Sequence, residues 1–138
     1  MAVFYPNVGC LWLAGNVQTD LANSVLHLYK SSLSPTVSTI LSELTAAECD
    51  YDGYSAKTIT AWLNEILNPA GGASTQAPTQ QFEYVDGVSH TANNVGGWYL
   101  VTSGGSLVAI GTFTEPIPMA ANGNGIPLDI LLRFGTGQ

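Results

Sequence analysis

Beyond position 96 the chain carries its clearest pattern of apolar and polar positions. Two runs, GWYLVTS (97–103) and SLVAIGTFT (106–114), are rich in β-branched and aromatic residues. The connection between them contains Ser103, Gly104 and Gly105, and a short glycine-rich link between two such runs is typical of a β-hairpin. The sequence therefore predicts two paired antiparallel strands here.

The C-terminal run IPLDILLRF (126–134) alternates even more strictly. An apolar residue occupies every second position, which predicts one strand with a buried face and with Asp129 and Arg133 on the other face. The residues before it, 116–125, are rich in Pro, Asn and Gly, and we expect an irregular loop there.

The first half of the chain has a more mixed pattern. Residues 24–32 fit both a strand and a helical face, but their β-branched and aromatic residues and the turn at Pro35 favour a strand. Residues 57–63 alternate and predict a half-buried strand, and residues 81–85 predict a short one. Between them, the Pro-, Gly-, Ser- and Thr-rich stretch indicates an exposed loop over 64–80.

Two short helices are predicted in the N-terminal half. The first spans 7–15, within an N-terminal segment of residues 1–23, and the second follows Ser38 or Ser42 as its N-cap and ends before Gly53. A length of 138 residues with 46% hydrophobic content fits one domain with a real core. We predict a mainly β, single-domain β-sandwich, jelly-roll or small barrel with one or two short helices.

Charge is scarce and strongly unbalanced. Three basic residues stand against ten acidic ones, which gives a formal net charge of −7. Such a chain offers no basic face for a phosphate backbone or an anionic membrane surface, so neither nucleic acid nor membrane is expected as a partner. The N terminus lacks the basic residues of a secretory signal, and no apolar run is long enough to span a bilayer.

The stretch ECDYDGYSAKTITAW raises the question of a calcium loop. Glu48, Asp50, Asp52 and Gly53 match four positions of an EF-hand loop, but the twelfth position, which needs a bidentate carboxylate, is Ile59. A general acid/base pair would need a desolvated carboxylate in an organised pocket, whereas these acids lie among polar residues. We therefore predict a turn with solvated acids, and no metal or other cofactor.

Candidate catalytic groups are few. His27 and His90 are the only histidines, and neither lies in a recognisable motif. Cys10 and Cys49 lack metal-binding spacing, and we expect buried free thiols. A small hydrolase that uses His90 with a nearby serine is a remote alternative; the expectation is a protein that is not an enzyme and has no catalytic residues.

Several segments of the chain carry a likeness when they are taken in order: PNVG, LHLYKSSLSPT, LSELTAAECDYDGYSAKTIT, GWYLVTSGGSLVAIGTF, and PIPM followed by GNGIPLDILLRF. Together they resemble a group of small structural proteins of tailed bacteriophages. The likeness covers about three quarters of the chain, without the 64–80 loop, and Cys49, Asp50 and Trp98 depart from the usual pattern of the group.

The resemblance implies a virion component made in the host cytoplasm. Because packaged DNA is anionic, the negative charge favours the capsid exterior over its interior. The expected role is a capsid decoration (cement) protein that binds the major capsid protein as a homo-oligomer, with a trimer favoured. A tail, neck or receptor-binding component is the alternative.

The N-terminal segment supplies the candidate contact residues. It is more apolar than a free terminus usually is, and it either binds the capsid or packs on its own domain. The interface candidates are Val3, Phe4, Tyr5, Leu11 and Trp12.

Overall fold

The computed structural model describes residues 2–4, 6, 21–67 and 73–134. Within them the chain is mainly β, a single small domain with one short helix, and this part of the fold prediction is confirmed. The elements are β1 (Ala2–Phe4), β2 (Ser24–Lys30), α1 (Leu41–Ala46), β3 (Lys57–Ile59), β4 (Leu63–Leu67), β5 (Ala73–Gln76), β6 (Gln80–Glu83), β7 (Asn93–Val101), β8 (Leu107–Met119), β9 (Gly125–Leu128) and β10 (Leu131–Phe134).

The largest sheet has five antiparallel strands in the order β1-β8-β7-β2-β3. Its centre is the predicted β7–β8 hairpin, whose turn is closed by a hydrogen bond from the Gly105 amide to the Thr102 carbonyl at 2.9 Å. β2, predicted as a strand, pairs with β7 so that Leu28 lies opposite Trp98. Two smaller sheets have the orders β10-β5-β4 and β6-β9.

The five-stranded sheet is buried on both faces. Leu28 and Trp98 belong to the larger core cluster, which also contains Phe82 of β6 and Ile126 of β9. The alternate residues of the same strands, such as Tyr99, face the other way and join a second cluster with Leu44 of α1. The small sheets thus cover one face and the helix covers the other, as alternation along strands requires.

The C-terminal run buries every second residue, as predicted, but it forms two strands and not one. Ile126, Leu128, Ile130 and Leu132 are all buried, yet β9 pairs with β6 whereas β10 pairs with β5. The chain changes sheet at Asp129, whose carboxylate accepts a hydrogen bond from the Thr79 hydroxyl at 2.5 Å. The prediction of one nine-residue strand is therefore wrong.

Two predicted loops contain strand residues. The 64–80 stretch includes the end of β4 and all of β5, with Thr75 and Ala77 buried, so an exposed loop over the whole range is wrong. The predicted strand 57–63 is likewise broken between β3 and β4. Residues 116–119 continue β8, and only the turn at 120–124 is irregular. These predictions are wrong because they relied on polar composition, whereas hydrogen-bonded pairing with neighbouring strands, and not hydrophobicity, extends β4, β5 and β8.

The helix α1 begins after Ile40, and neither Ser38 nor Ser42 caps it. The exposed Ile40 amide instead donates to the Glu43 carboxylate at 2.8 Å, so a side chain inside the first turn reaches back to the helix start. The helix predicted at 7–15 lies outside the described residues. Among the residues that are described, no helix is long and apolar enough to cross a membrane.

A candidate interaction loop

The loop of residues 85–91 joins β6 to β7 and is organised around one carboxylate. Asp52 lies outside the loop, and its side chain accepts hydrogen bonds from the Gly87 amide at 2.9 Å and from the Ser89 hydroxyl at 2.8 Å. Two backbone bonds of 3.0 Å close the ends: the first loop amide donates to the Asp52 carbonyl, and the last loop carbonyl accepts from the Asp52 amide. The loop is therefore closed around Asp52.

Asp52 reaches the loop because the chain turns sharply at the next residue. Gly53 has a φ of 86°, and a Cβ there would lie 2.8 Å from the Val85 amide nitrogen. Glycine satisfies both the positive φ and the close approach of the loop backbone. The Asp52–Gly53 pair thus places the carboxylate against the loop.

These hydrogen bonds hold Asp52 in its charged form. The Ser89 hydroxyl is the largest cause of the lowered pKa of Asp52, and the amides of Thr91, Gly87 and His90 lower that pKa further. Hydrogen bonds to the ionised form favour it, as expected of a carboxylate that holds backbone N–H groups in place. Asp52 is therefore occupied in ordering the loop.

A second set of bonds fixes the loop to the neighbouring turn. The Asp86 amide donates to the Asn122 side chain at 2.8 Å, and His90 Nδ1 lies 2.6 Å from Asp86 Oδ1. The Asn124 side-chain oxygen accepts from two preceding amides of its own turn, at 3.0 and 3.1 Å. The 85–91 loop and the 120–124 turn consequently lie side by side.

The ordered loop presents apolar side chains to solvent. Val88 has a relative exposure of 101%, and Val85 at the start of the loop is 57% exposed. His90, with a φ of 51°, holds a backbone conformation that few non-glycine residues adopt and that persists only where the surroundings fix it. A fixed loop with an exposed valine at its tip suits contact with another protein, because little ordering entropy remains to be lost.

The other two acids of the stretch serve different contacts. Glu48 is partly buried, not solvated as predicted; its Oε1 lies 2.5 Å from His27 Nδ1 and accepts a hydrogen bond from the Tyr54 hydroxyl at 2.8 Å. The His27 ring stacks on Tyr99 with centroids 4.7 Å apart. This cluster fastens the segment after α1 to β2, where Glu48 pairs with Tyr29.

Asp50 is exposed, as predicted, and forms a surface ion pair. Its Oδ1 lies 3.1 Å from Lys30 Nζ and accepts from the Asn93 amide group at 3.0 Å. The Asn93 hydrogen bond, followed by the one from Lys30, lowers the pKa of Asp50. The three carboxylates therefore point to three separate sets of partners. In the ranges that the structure covers, no group of three His, Cys, Asp or Glu side chains could hold a metal ion.

The hydrolase alternative requires a serine hydroxyl hydrogen-bonded to His90, and Ser89 and His90 do not form this pair. The serine beside His90 is Ser89, whose hydroxyl donates to Asp52, whereas the His90 ring contacts Asp86. Cys49 is buried and free, as predicted, and burial raises the pKa of its thiol to about 12. Such a thiol is a poor nucleophile.

The predicted N-terminal interface is described only in part. Val3 lies on β1, an edge strand that pairs with β8, and is 39% exposed. Phe4 pairs through its backbone with Ile110. The remaining candidates, Tyr5, Leu11 and Trp12, lie outside the described residues, as does Cys10.

The 85–91 loop was not singled out from the sequence. Its signal is a valine isolated among turn-forming and polar residues in VDGVSHTAN, but the long-range bond to Asp52 has no sequence signature.

Comparison of the chain with protein-family models, with curated proteins and with solved structures finds no match.

Proposed function

We propose that this protein is a virion structural protein of a tailed bacteriophage that decorates the outer surface of the head by binding the major capsid protein. The ordered segments that resemble small phage structural proteins support this assignment. We propose a binding protein rather than an enzyme, because function is argued from the site and not from the fold, and the site that supports this proposal is an exposed loop.

The observation that carries the proposal is the exposed tip of the 85–91 loop. Val88 is fully exposed although the loop is bonded to both Asp52 and Asn122. Burial of a valine side chain stabilises an interface by about 1.5–3 kcal/mol when the side chain was exposed before. Because the loop is already ordered, most of that free energy is retained on binding.

Charge supports an outward position on the head. The net charge of −7 disfavours contact with packaged DNA, and Asp86 lies in the loop itself. We expect the acidic 85–91 loop to dock on a neutral or basic patch of the capsid. Attraction between opposite charges would also accelerate association at low salt.

A closed homo-oligomer, with a trimer favoured, fits this role. Capsid lattices offer threefold and quasi-threefold junctions, and three linked copies bind with avidity even when each contact is weak. Among the described strands, β1 lies at the edge of its sheet, and its exposed Val3 offers a contact either between copies or with the capsid.

Binding of the purified chain to heads that lack it tests this proposal. Val88→Ser should weaken sedimentation with heads at least tenfold, while Val37→Ser, which changes another exposed valine far from the loop in sequence, should bind like the parent chain. Equal binding by both variants would contradict the loop as the docking site. A low copy number confined to tails would instead indicate the tail or receptor-binding alternative.

A further inference from the structure

The β7–β8 ladder is interrupted at one point along its length. Gly97 lies opposite Thr112 and Val95 lies opposite Ile117, so residues 113–116 of β8 stand against the single residue Gly96 of β7. An excess of residues on one strand bends it and redirects its side chains, and such irregularities are common beside functional sites. A recess lies at this interruption, where Gly96, Phe113 and Pro116 are among the lining residues.

Close backbone packing forms one side of this recess. A Cβ at Gly96 would lie 2.9 Å from Ser31 Cα, and a Cβ at Gly97 would lie 2.5 Å from the Tyr29 hydroxyl. That hydroxyl donates to the Gly111 carbonyl at 3.2 Å. The Tyr29 side chain is thereby held in place beneath the irregular part of the ladder.

The recess is a cleft of about 210 Å³ with both hydroxyl and apolar lining. Ser31 and Ser34 supply hydroxyl groups to the cleft, and Thr112 also lines it. The Tyr29 side chain is part of the lining, but it is fully buried and its hydroxyl is already bonded to the Gly111 carbonyl. None of the described residues that line the cleft carries a charge. The cleft therefore offers hydrogen-bonding groups but no ion-pair partner, which disfavours phosphates, carboxylates and amines as ligands.

Apolar surface comes from Leu33, from Phe113 and from two prolines, Pro35 and Pro116. Phe113 is half-buried against the larger core cluster, so its ring is supported from behind. An aliphatic ligand would leave the serine hydroxyls without partners, and an extended polar chain would leave Phe113 and the prolines uncovered. A ring with one apolar face and a rim of hydroxyl groups satisfies both requirements.

We infer that this cleft binds a neutral pyranose, a single sugar residue of a glycan. The apolar C–H face of the sugar would lie on Phe113 and the prolines, and its hydroxyls would bond to Ser31 and Ser34. The volume of the cleft suits one such ring. This inference is independent of the docking role proposed for the 85–91 loop.

Nuclear magnetic resonance titration of the intact chain tests the assignment. The probes are the methyl glycosides of glucose, galactose, mannose, rhamnose and N-acetylglucosamine at millimolar concentrations, where single sugar residues bind. We expect saturable shifts of the Ser31, Gly96 and Thr112 amides with at least one of them. A triproline peptide, the competing occupant, should give none.

Two matched variants locate the binding. Ser34→Leu fills the cleft and should reduce binding at least tenfold, whereas Ser32→Leu places the same side chain at an exposed position outside the cleft and should bind normally. Both positions are exposed, so both variants should fold. The inference is overturned if no sugar gives saturable shifts, if both variants bind equally, or if the triproline peptide alone occupies the cleft.

Discussion

The Ser89 hydroxyl donates a hydrogen bond of 2.8 Å to the Asp52 carboxylate, 37 positions earlier in the chain. This bond, together with that from the Gly87 amide, joins a turn to a loop that has no regular secondary structure of its own. The charged form of Asp52 is the form that the loop binds. Loop order should therefore depend on pH.

The first prediction concerns Asp52→Asn. Because the pKa of Asp52 is lowered in the folded state, its stabilisation is complete above the unfolded pKa near 4 and is lost as pH falls through the lower folded value. The variant should melt below the parent protein at neutral pH, and the difference should narrow in acid. Faster hydrogen exchange of the Gly87 amide should accompany it. Glu83→Gln, an exposed change on β6, is the control; equal melting of Asp52→Asn and the parent at neutral pH would contradict this account.

The second prediction compares two tyrosines of the same core. The Tyr54 hydroxyl accepts from the Leu28 amide at 3.1 Å and donates to Glu48, so Tyr54→Phe should lower the free energy of unfolding by about 1–3 kcal/mol. The Tyr51 hydroxyl is buried without a hydrogen-bond partner among the described residues, and Tyr51→Phe should be neutral or stabilising. Denaturant melts of both variants measure the two changes in the free energy of unfolding. A larger loss of stability for Tyr51→Phe than for Tyr54→Phe would contradict these hydrogen-bond roles.

A third prediction tests which face of the C-terminal run is buried. Ile130 is fully buried, and Ile130→Ala should cost about 2–5 kcal/mol of unfolding free energy. Leu131, the next residue, is 40% exposed, and Leu131→Ala should cost at most about 1 kcal/mol. Thermal melts that rank the two the other way would show that the register of β10 is wrong.

The fourth prediction concerns the interrupted ladder. A Cβ at Gly97 would lie 2.0 Å from the Gly111 carbonyl oxygen, so Gly97→Ala should force the strands apart and cost roughly 1–3 kcal/mol or more. Gly104 in the hairpin turn has its nearest neighbour atom at 3.8 Å, and Gly104→Ala should change stability little. Similar melting temperatures for both variants would contradict the close approach of Gly97 to the Gly111 carbonyl and the Tyr29 hydroxyl.

Much of the fold could be predicted from local pattern. β-branched and aromatic content with a glycine-rich link predicted the hairpin around Gly105. Alternation predicted the buried set that includes Ile126 and Ile130, because a strand with one face at a core alternates. The change of sheet at Asp129 could not be predicted, since the same alternation serves two short strands as well as one long one. At that point the Asp129 carboxylate accepts a hydrogen bond from the Thr79 hydroxyl, which is distant in sequence.

The candidate site was less accessible to prediction. Asp52 was correctly placed in a polar turn, but its role depends on donors at Gly87 and Ser89 that no spacing rule connects to it. The prediction that Glu48 is solvated is wrong because it assigned one environment to all three acids of the stretch. Burial against His27 and Tyr54 is a property of the folded sheet and not of the stretch itself.

The location of the protein on an intact particle tests the central claim most directly. Electron microscopy of virions, with the chain identified by its fold in the reconstruction, should place copies in threefold-related groups on the outer head surface. Val88 should face the major capsid protein. Single copies on the tail, or a position on the inner capsid wall, would contradict the proposal.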